Sequence, residues 1–209
     1  MFPDQLATIS RLGIMGGTFD PIHYGHLAIA EQARECYNLD LVLFIPAGAP
    51  PHKSFWRLDA EQRYLMVEMA TADNPHFNVS RMEIERTGRS YTVDTLQELK
   101  NRYPHTELYF IIGADSALEF HLWREPQEIL RLAHVVAATR PGFALGQLQP
   151  FPHIAEEQQI ATFTTPGLDI SSTEIRARVQ RGQSIRYLVP DPVAMFIDKN
   201  KLYTDEQTR

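Results

Sequence analysis

Apolar residues along this chain follow two rhythms, and the two alternate. Runs at 12–15, 41–46, 77–84, 108–112, 135–138 and 160–163 have the length and composition of buried strands. Between them, apolar positions recur at spacings of three and four: Leu27, Ala30, Ala33 and Tyr37; Leu65, Met69 and Ala72; Val93, Leu96, Leu99 and Tyr103. Each stripe predicts a helix with one face on a core. Strands that alternate with helices imply an α/β architecture in which crossover helices join parallel strands. Pro141, Gly142, Gly146, Pro150 and Pro152 mark one long loop, the single linker candidate, with no repeat or biased tract elsewhere. The expectation is one domain over residues 1–209, with its core at about 11–203.

In an open parallel sheet, ligands bind beyond the carboxyl ends of the strands. The first run ends in Gly16-Gly17-Thr18-Phe19-Asp20-Pro21, the second in Ala47-Gly48-Ala49-Pro50-Pro51-His52-Lys53, and the fourth in Gly113-Ala114-Asp115-Ser116, so these loops are expected to share a rim. Gly16 and Gly17 let the backbone approach a ligand, and Asp20-Pro21 reads as an N-cap followed by a residue pre-set for helix entry. A helix starting there would put His23 and His26, three apart, on one face of its first turn, beside exposed N–H groups and the positive end of the dipole. That is a place for a phosphate. A Gly-rich turn with two solvent histidines is the plainer reading. A zinc pair is disfavoured, because metalloprotease-type histidines come four apart with a glutamate between and Cys36 is the only thiol.

Two further segments carry polar groups at strand or helix ends. Asp115 can accept hydrogen bonds from ribose hydroxyls or cap a helix, and its position alone leaves both open. Ser171 and Glu174 form a capping-box pattern ahead of Ile175 and Val179. That pattern leaves Arg176 unexplained, since a bare helix start prefers an acid to a cation. An anion held by Ser172, Thr173, backbone N–H groups and the Arg176 fork would account for it.

Composition narrows the partners. At 44% hydrophobic content, 209 residues can bury a full core. Twenty basic against 26 acidic residues give a formal charge of −6, which argues against a general nucleic-acid or anionic-membrane binder and makes any phosphate site local. One cysteine excludes an intramolecular disulfide, and Cys36, on an amphipathic pattern, is expected to be a small buried thiol. With no apolar run of about 18 residues and no basic-then-apolar N-terminus, a cytoplasmic location is expected. The sequence does not indicate an oligomeric state.

Gly-Gly-Thr-Phe-Asp-Pro-Ile-His-Tyr-Gly-His at 16–26 and Ile-Ser-Ser-Thr-Glu-Ile-Arg at 170–176 resemble the paired signatures of nucleotidyltransferases with a Rossmann-like fold, most closely the bacterial nicotinate-nucleotide adenylyltransferases. The similarity runs from about Leu12 to Tyr203 and includes Pro-Pro-His-Lys at 50–53, Ser-Tyr-Thr at 90–92, Arg140-Pro141-Gly142 and the tail at 181–190. It implies a doubly wound parallel sheet with helices on both faces and a small C-terminal helical part. It further implies transfer of AMP from ATP to nicotinate mononucleotide, with Mg²⁺ arriving on ATP and no dedicated metal site. His23, His26 and Arg176 would be catalytic: His26 donating to the α-phosphate, His23 assisting at the bridging or β-phosphate, and Arg176 holding the leaving pyrophosphate. Gly16, Gly17, Phe19, Gly113, Asp115, Ser171, Ser172, Thr173 and Arg176 would bind ATP. Lys53, Tyr91, Thr92 and Trp123 would bind the mononucleotide, with Trp123 stacked on the pyridine ring; some members have Tyr where this chain has Arg124. As plain structure, Lys53 is a loop lysine, Thr92 a helix cap and Trp123 buried area. The alternatives are a pantetheine-phosphate adenylyltransferase, whose chains are usually shorter, and a nucleotide-binding sensor without turnover; no P-loop motif is present.

Overall fold

A computed structural model describes residues 9–49, 58–139 and 151–204. The elements run β1 (Arg11–Gly17), α1 (Tyr24–Cys36), β2 (Leu41–Pro46), α2 (Ala60–Thr71), β3 (Phe77–Val79), α3 (Met82–Glu85), α4 (Thr92–Arg102), β4 (Glu107–Gly113), α5 (Ala114–Leu118), α6 (Pro126–Leu132), β5 (His134–Thr139), β6 (Ala161–Thr164), α7 (Ser172–Gln180) and α8 (Asp191–Lys199). Six parallel strands form one sheet in the order β3-β2-β1-β4-β5-β6. The chain winds outward from β1 to β3, returns to the other side of β1 as β4, and winds outward again. The reversal between β1 and β4 opens the crevice where ligands bind in such sheets.

The period-two alternation of strand side chains feeds two cores. Val42 and Phe44 face one side with Ala30, Ala33, Met66, Val67, Ile175 and Val193, which are contributed by α1, α2, α7 and α8. Leu41, Leu43 and Ile45 face the other with Met82, Leu96, Leu99, Ala117 and Ile129, from α3 to α6. Both faces are covered, as apolar runs without polar alternation require. This is the doubly wound architecture the sequence pointed to.

Three local expectations are corrected. The run at 77–84 is a strand only to Val79, because the Ser80 hydroxyl accepts the Met82 N–H at 3.2 Å and turns the chain into α3. On α2 the buried face is Arg63, Tyr64, Met66, Val67, Ala70 and Thr71, with Leu65 and Ala72 exposed, so the Leu65-Met69-Ala72 stripe was the wrong face. Cys36 is exposed at the last turn of α1, where Gln32 Nε2 lies 3.5 Å from its sulfur. Among the described residues no helix is long and apolar enough to cross a membrane.

Candidate active site

The loop after β1 does not enter α1 where the sequence suggested. Phe19 takes φ 50°, and the Asp20 carboxylate is buried, accepting the Tyr203 hydroxyl at 2.7 Å; so engaged, it does not cap a helix. The N-cap is His23, in extended conformation, and α1 begins at Tyr24 with His26 as its third residue. Gly25 makes room for this start, since a Cβ there would stand 3.0 Å from His23 Nδ1.

The two imidazoles stack with ring centroids 3.7 Å apart and planes 25° from parallel. Nitrogen lone pairs lie in the ring planes, so nearly parallel rings cannot both aim at one ion at the ~2 Å a zinc bond needs. His26 Nδ1 accepts the His23 backbone N–H at 3.3 Å. In the neutral ring this puts the proton on Nε2, as a donor. Burial pushes the His23 pKa from 6.5 down to about 4. His26 is held well below 6.5 by burial and by the adjacent His23. Both rings are therefore neutral at pH 7. His23 is 6% exposed, and its Nδ1 has no hydrogen-bond partner among the described residues.

Gly16, Gly17, His23, His26, Gly113, Asp115, Trp123, Ser171 and Ser172 line one cavity of about 780 Å³ at the β1/β4 crevice. Asp115 is the second residue of α5, which Gly113 caps, so its exposed carboxylate stands at the cavity wall without a capping role. At the other wall, Ser171 caps α7 by accepting Glu174 N–H at 3.2 Å. The Glu174 carboxylate pairs instead with Arg181 at 2.9 Å, so the capping box is only half formed. Ser172 donates to the Pro21 carbonyl at 2.9 Å, and the Arg176 fork donates to the Asp20 carbonyl at 2.7 Å and to Thr173 Oγ1 at 3.2 Å. The start of α7 is thus fastened to the loop that carries the histidines. The Phe19 ring lies in the core, edge-on to His26 at 5.2 Å, and supports that imidazole from behind.

A second cavity, of about 670 Å³, is lined by Tyr91, Thr92, Arg124 and others, and it shares Ser116 and Trp123 with the first. Trp123 is half-buried, with Phe110 edge-on at 5.9 Å and Phe120 at 5.3 Å. Thr92 is the first residue of α4 and Tyr91 its N-cap, so Thr92 is not a cap. The Arg124 guanidinium sits 4.7 Å from the Tyr91 ring centroid and pairs with Asp94 at 3.6 Å, covering the aromatic face. Lys53 lies outside the described residues. Sequence reasoning missed Tyr203, which holds Asp20; Arg63, whose fork donates to the Thr18 and Ala47 carbonyls; and Ser90, whose Oγ accepts the Gly48 and Ala49 N–H groups. An arginine interrupting an apolar face three and four residues before Met66 and Val67 was the available signal.

A cytidylyltransferase-like family model matches residues 14–178. A relative from Desulfitobacterium hafniense (strain Y51), named "probable nicotinate-nucleotide adenylyltransferase", is 51% identical over 92% of this chain and 95% of its own length. One of the same name from Moorella thermoacetica is 50% identical over 92% and 91%. The chain belongs to the nicotinate-nucleotide adenylyltransferase family. A solved nicotinic acid mononucleotide adenylyltransferase of Plasmodium falciparum, complexed with NaAD, superposes with a TM-score of 0.77 at 20% identity, over 93% of this chain and 97% of that one. That nicotinate-nucleotide adenylyltransferase fold therefore extends across nearly all of the present chain.

Proposed function

We propose that this chain transfers AMP from ATP to the phosphate of nicotinate mononucleotide, releasing pyrophosphate and forming nicotinate adenine dinucleotide, with ATP in the first cavity and the mononucleotide in the second. The observation that carries the assignment of sites is the junction of the two cavities at Trp123 and Ser116, with the His23/His26 stack on the wall of the first. A transferred group bound near the histidines would face an acceptor entering from the other side.

The attacking phosphate is already an anion, so the site needs alignment and charge stabilisation rather than a base. Neutral His26, with its proton on Nε2, donates to the α-phosphate as charge builds there. His23 acts beside it at the bridging or β-phosphate. A neutral donor in a buried, preorganised site stabilises developing charge without reorganising at the moment of reaction. Gly16, Gly17, Gly113, Asp115, Ser171, Ser172 and Thr173 form the ATP side, and Phe19 contributes through its backbone and by backing His26. Arg176 holds the terminal phosphates, exchanging one of its present hydrogen bonds for a charge-assisted one. Mg²⁺ enters as part of the ATP substrate, held by phosphate oxygens and water. Tyr91, Thr92 and Trp123 hold the mononucleotide, with Lys53 as the basic residue for its phosphate.

The test is pyrophosphate release from ATP with a panel of phosphorylated acceptors. Nicotinate mononucleotide is expected to support release, and 4′-phosphopantetheine is not. Comparing kcat/KM for nicotinate and nicotinamide mononucleotide then refines the acceptor. Donors aimed at the ring substituent favour the carboxylate, and a site built on such hydrogen bonds discriminates by factors of up to roughly 10⁴. Equal values would overturn the choice of nicotinate.

A further inference from the structure

Arg63 is the largest fully buried side chain among the described residues, at 1% exposure. Burying a guanidinium costs far more than burying an apolar side chain of similar volume, so its presence at a core-facing position of α2 needs a reason. The reason is visible in its partners. One terminal nitrogen donates to the Thr18 carbonyl at 2.8 Å, and the other to the Ala47 carbonyl at 2.6 Å and the Gly48 carbonyl at 3.4 Å. All three acceptors are main-chain oxygens, two loops share one fork, and Asp20, Asp59 and Glu83 supply a surrounding negative field.

The Thr18 loop continues from Gly16 and Gly17, which line the first cavity, whereas the Ala47–Gly48 turn reaches the second through Ser90, one of its lining residues. Thr18 lies between Gly17 and the histidine stack. Gly48 packs directly on the backbone of α3, where an added Cβ would stand 2.1 Å from the Glu83 carbonyl oxygen. Ser90 Oγ accepts the N–H groups of Gly48 at 3.1 Å and Ala49 at 3.2 Å, and Ser90 N–H donates to the Ala49 carbonyl at 2.9 Å. Ser90 is followed by Tyr91, a wall of the second cavity. Ala47 N–H still meets the Gly17 carbonyl at 2.9 Å at the strand ends. Beyond that bond Arg63 joins the two segments through the Thr18, Ala47 and Gly48 carbonyls. We propose that Arg63 is a positioning residue for adenylyl transfer: its fork, holding Thr18 together with Ala47 and Gly48, fixes the separation of the two cavities so that both bound substrates meet in line.

The inference rests on the assignment of ATP and acceptor to the two cavities, and it makes a distinct demand. Each loop has other anchors, with Asp20 held by Tyr203 and Arg176 and residues 48–49 held by Ser90, so each substrate alone should still bind. What Arg63 adds is their mutual register. A lysine keeps the charge but not the fork.

Arg63→Lys and Arg63→Met, with folding checked by circular dichroism, are to be compared with the unaltered protein by steady-state kinetics. Calorimetric titration with ATP, with nicotinate mononucleotide and with the dinucleotide product supplies the affinities. For Arg63→Met, kcat is expected to fall about 100-fold, the size of effect a misplacement of about 1 Å produces, while both KM values stay within about threefold. The dinucleotide, which spans both cavities, should lose about tenfold or more in affinity while each fragment changes by less than about threefold. Arg63→Lys should recover part of the loss. Unchanged kcat in a folded variant, or equal affinity losses for all three ligands, would overturn the proposal. If Arg63→Met does not fold, Arg63→Lys decides on the same criteria. Should the unaltered protein release pyrophosphate only with a different acceptor, the assignment of nicotinate fails. The comparison is then made with that acceptor and its dinucleotide, where the same results support or overturn the role of Arg63.

Discussion

Two helix starts face each other across the first cavity, and they are built on opposite terms. The start of α7 is satisfied by its own sequence: Ser171 accepts an N–H of the first turn, and Ser172 and Arg176 spend their donors on carbonyls of the facing loop. The start of α1 has no acidic residue in its first turn and no hydroxyl at the cap; two stacked neutral imidazoles take that place, with a buried nitrogen left unpartnered among the described residues. A helix that served only the fold would prefer Ser, Asp or Asn at that cap. The difference separates a fastening from a reaction centre. Residues at α7 should matter to stability and to triphosphate binding, and those at α1 to turnover.

The sharpest break in this comparison is His26→Ala. Losing one preorganised donor is expected to lower kcat by two to three orders of magnitude while ATP binding changes little and the fold stays intact. Turnover near that of the unaltered protein would remove His26 from the chemistry.

His23 sharpens the contrast through pH. Its folded pKa, about 4, lies below the ordinary 6.5, so the unfolded chain binds more protons between those values. Its contribution is therefore full above pH 6.5 and is lost as pH falls toward 4, by up to about 3 kcal/mol. Urea unfolding at pH 7, 5.5 and 4 should show this loss, and His23→Gln should show less of it. A pH dependence unchanged in His23→Gln would mean that the imidazole is not buried neutral.

Arg176→Ala tests the other helix start. The lost fork is expected to weaken ATP by roughly tenfold or more, and AMP, which lacks the terminal phosphates, by much less, with lysine rescuing only partly. Equal losses for the two nucleotides would show that Arg176 acts only through its bond to Asp20. The smallest effect belongs to Ser171→Ala. Removing this cap should cost about 1 kcal/mol in urea unfolding, with any kinetic effect falling on the KM for ATP, whose cavity Ser171 lines, rather than on kcat.

The contrast also shows what the sequence disclosed. Most strand positions and the meeting of the Gly16-Gly17 and Gly113 loops at one cavity were legible from periodicity and from the rule that ligands sit at the carboxyl ends of parallel strands. Residues 47–49 do not line that cavity, and the double winding and the Ser171 segment were legible only through the family resemblance. The start of α1 was not, because Asp20 is engaged by Tyr203, 183 residues further along the chain. Pattern reading is blind to a partner that distant. The face of α2 was misread for a related reason: Arg63 counts as polar in any pattern, yet carbonyls from two loops make it a core residue. Asp115 and Thr92 each carried a capping alternative; Thr92 lies one residue and Asp115 two residues past the cap of its helix. Offsets of one or two residues are set by how strand and helix join, below the resolution of propensity.

The central claim is that α1 opens on a neutral donor, His26, fixed as the Nε2–H tautomer by the His23 backbone N–H. Nitrogen-15 NMR of the imidazoles through a pH titration tests it most directly. The expected result is a His26 ring that is neutral at pH 6.5, where an ordinary histidine is half protonated, with its proton on Nε2. An imidazolium at that pH, or a proton on Nδ1, would contradict the account.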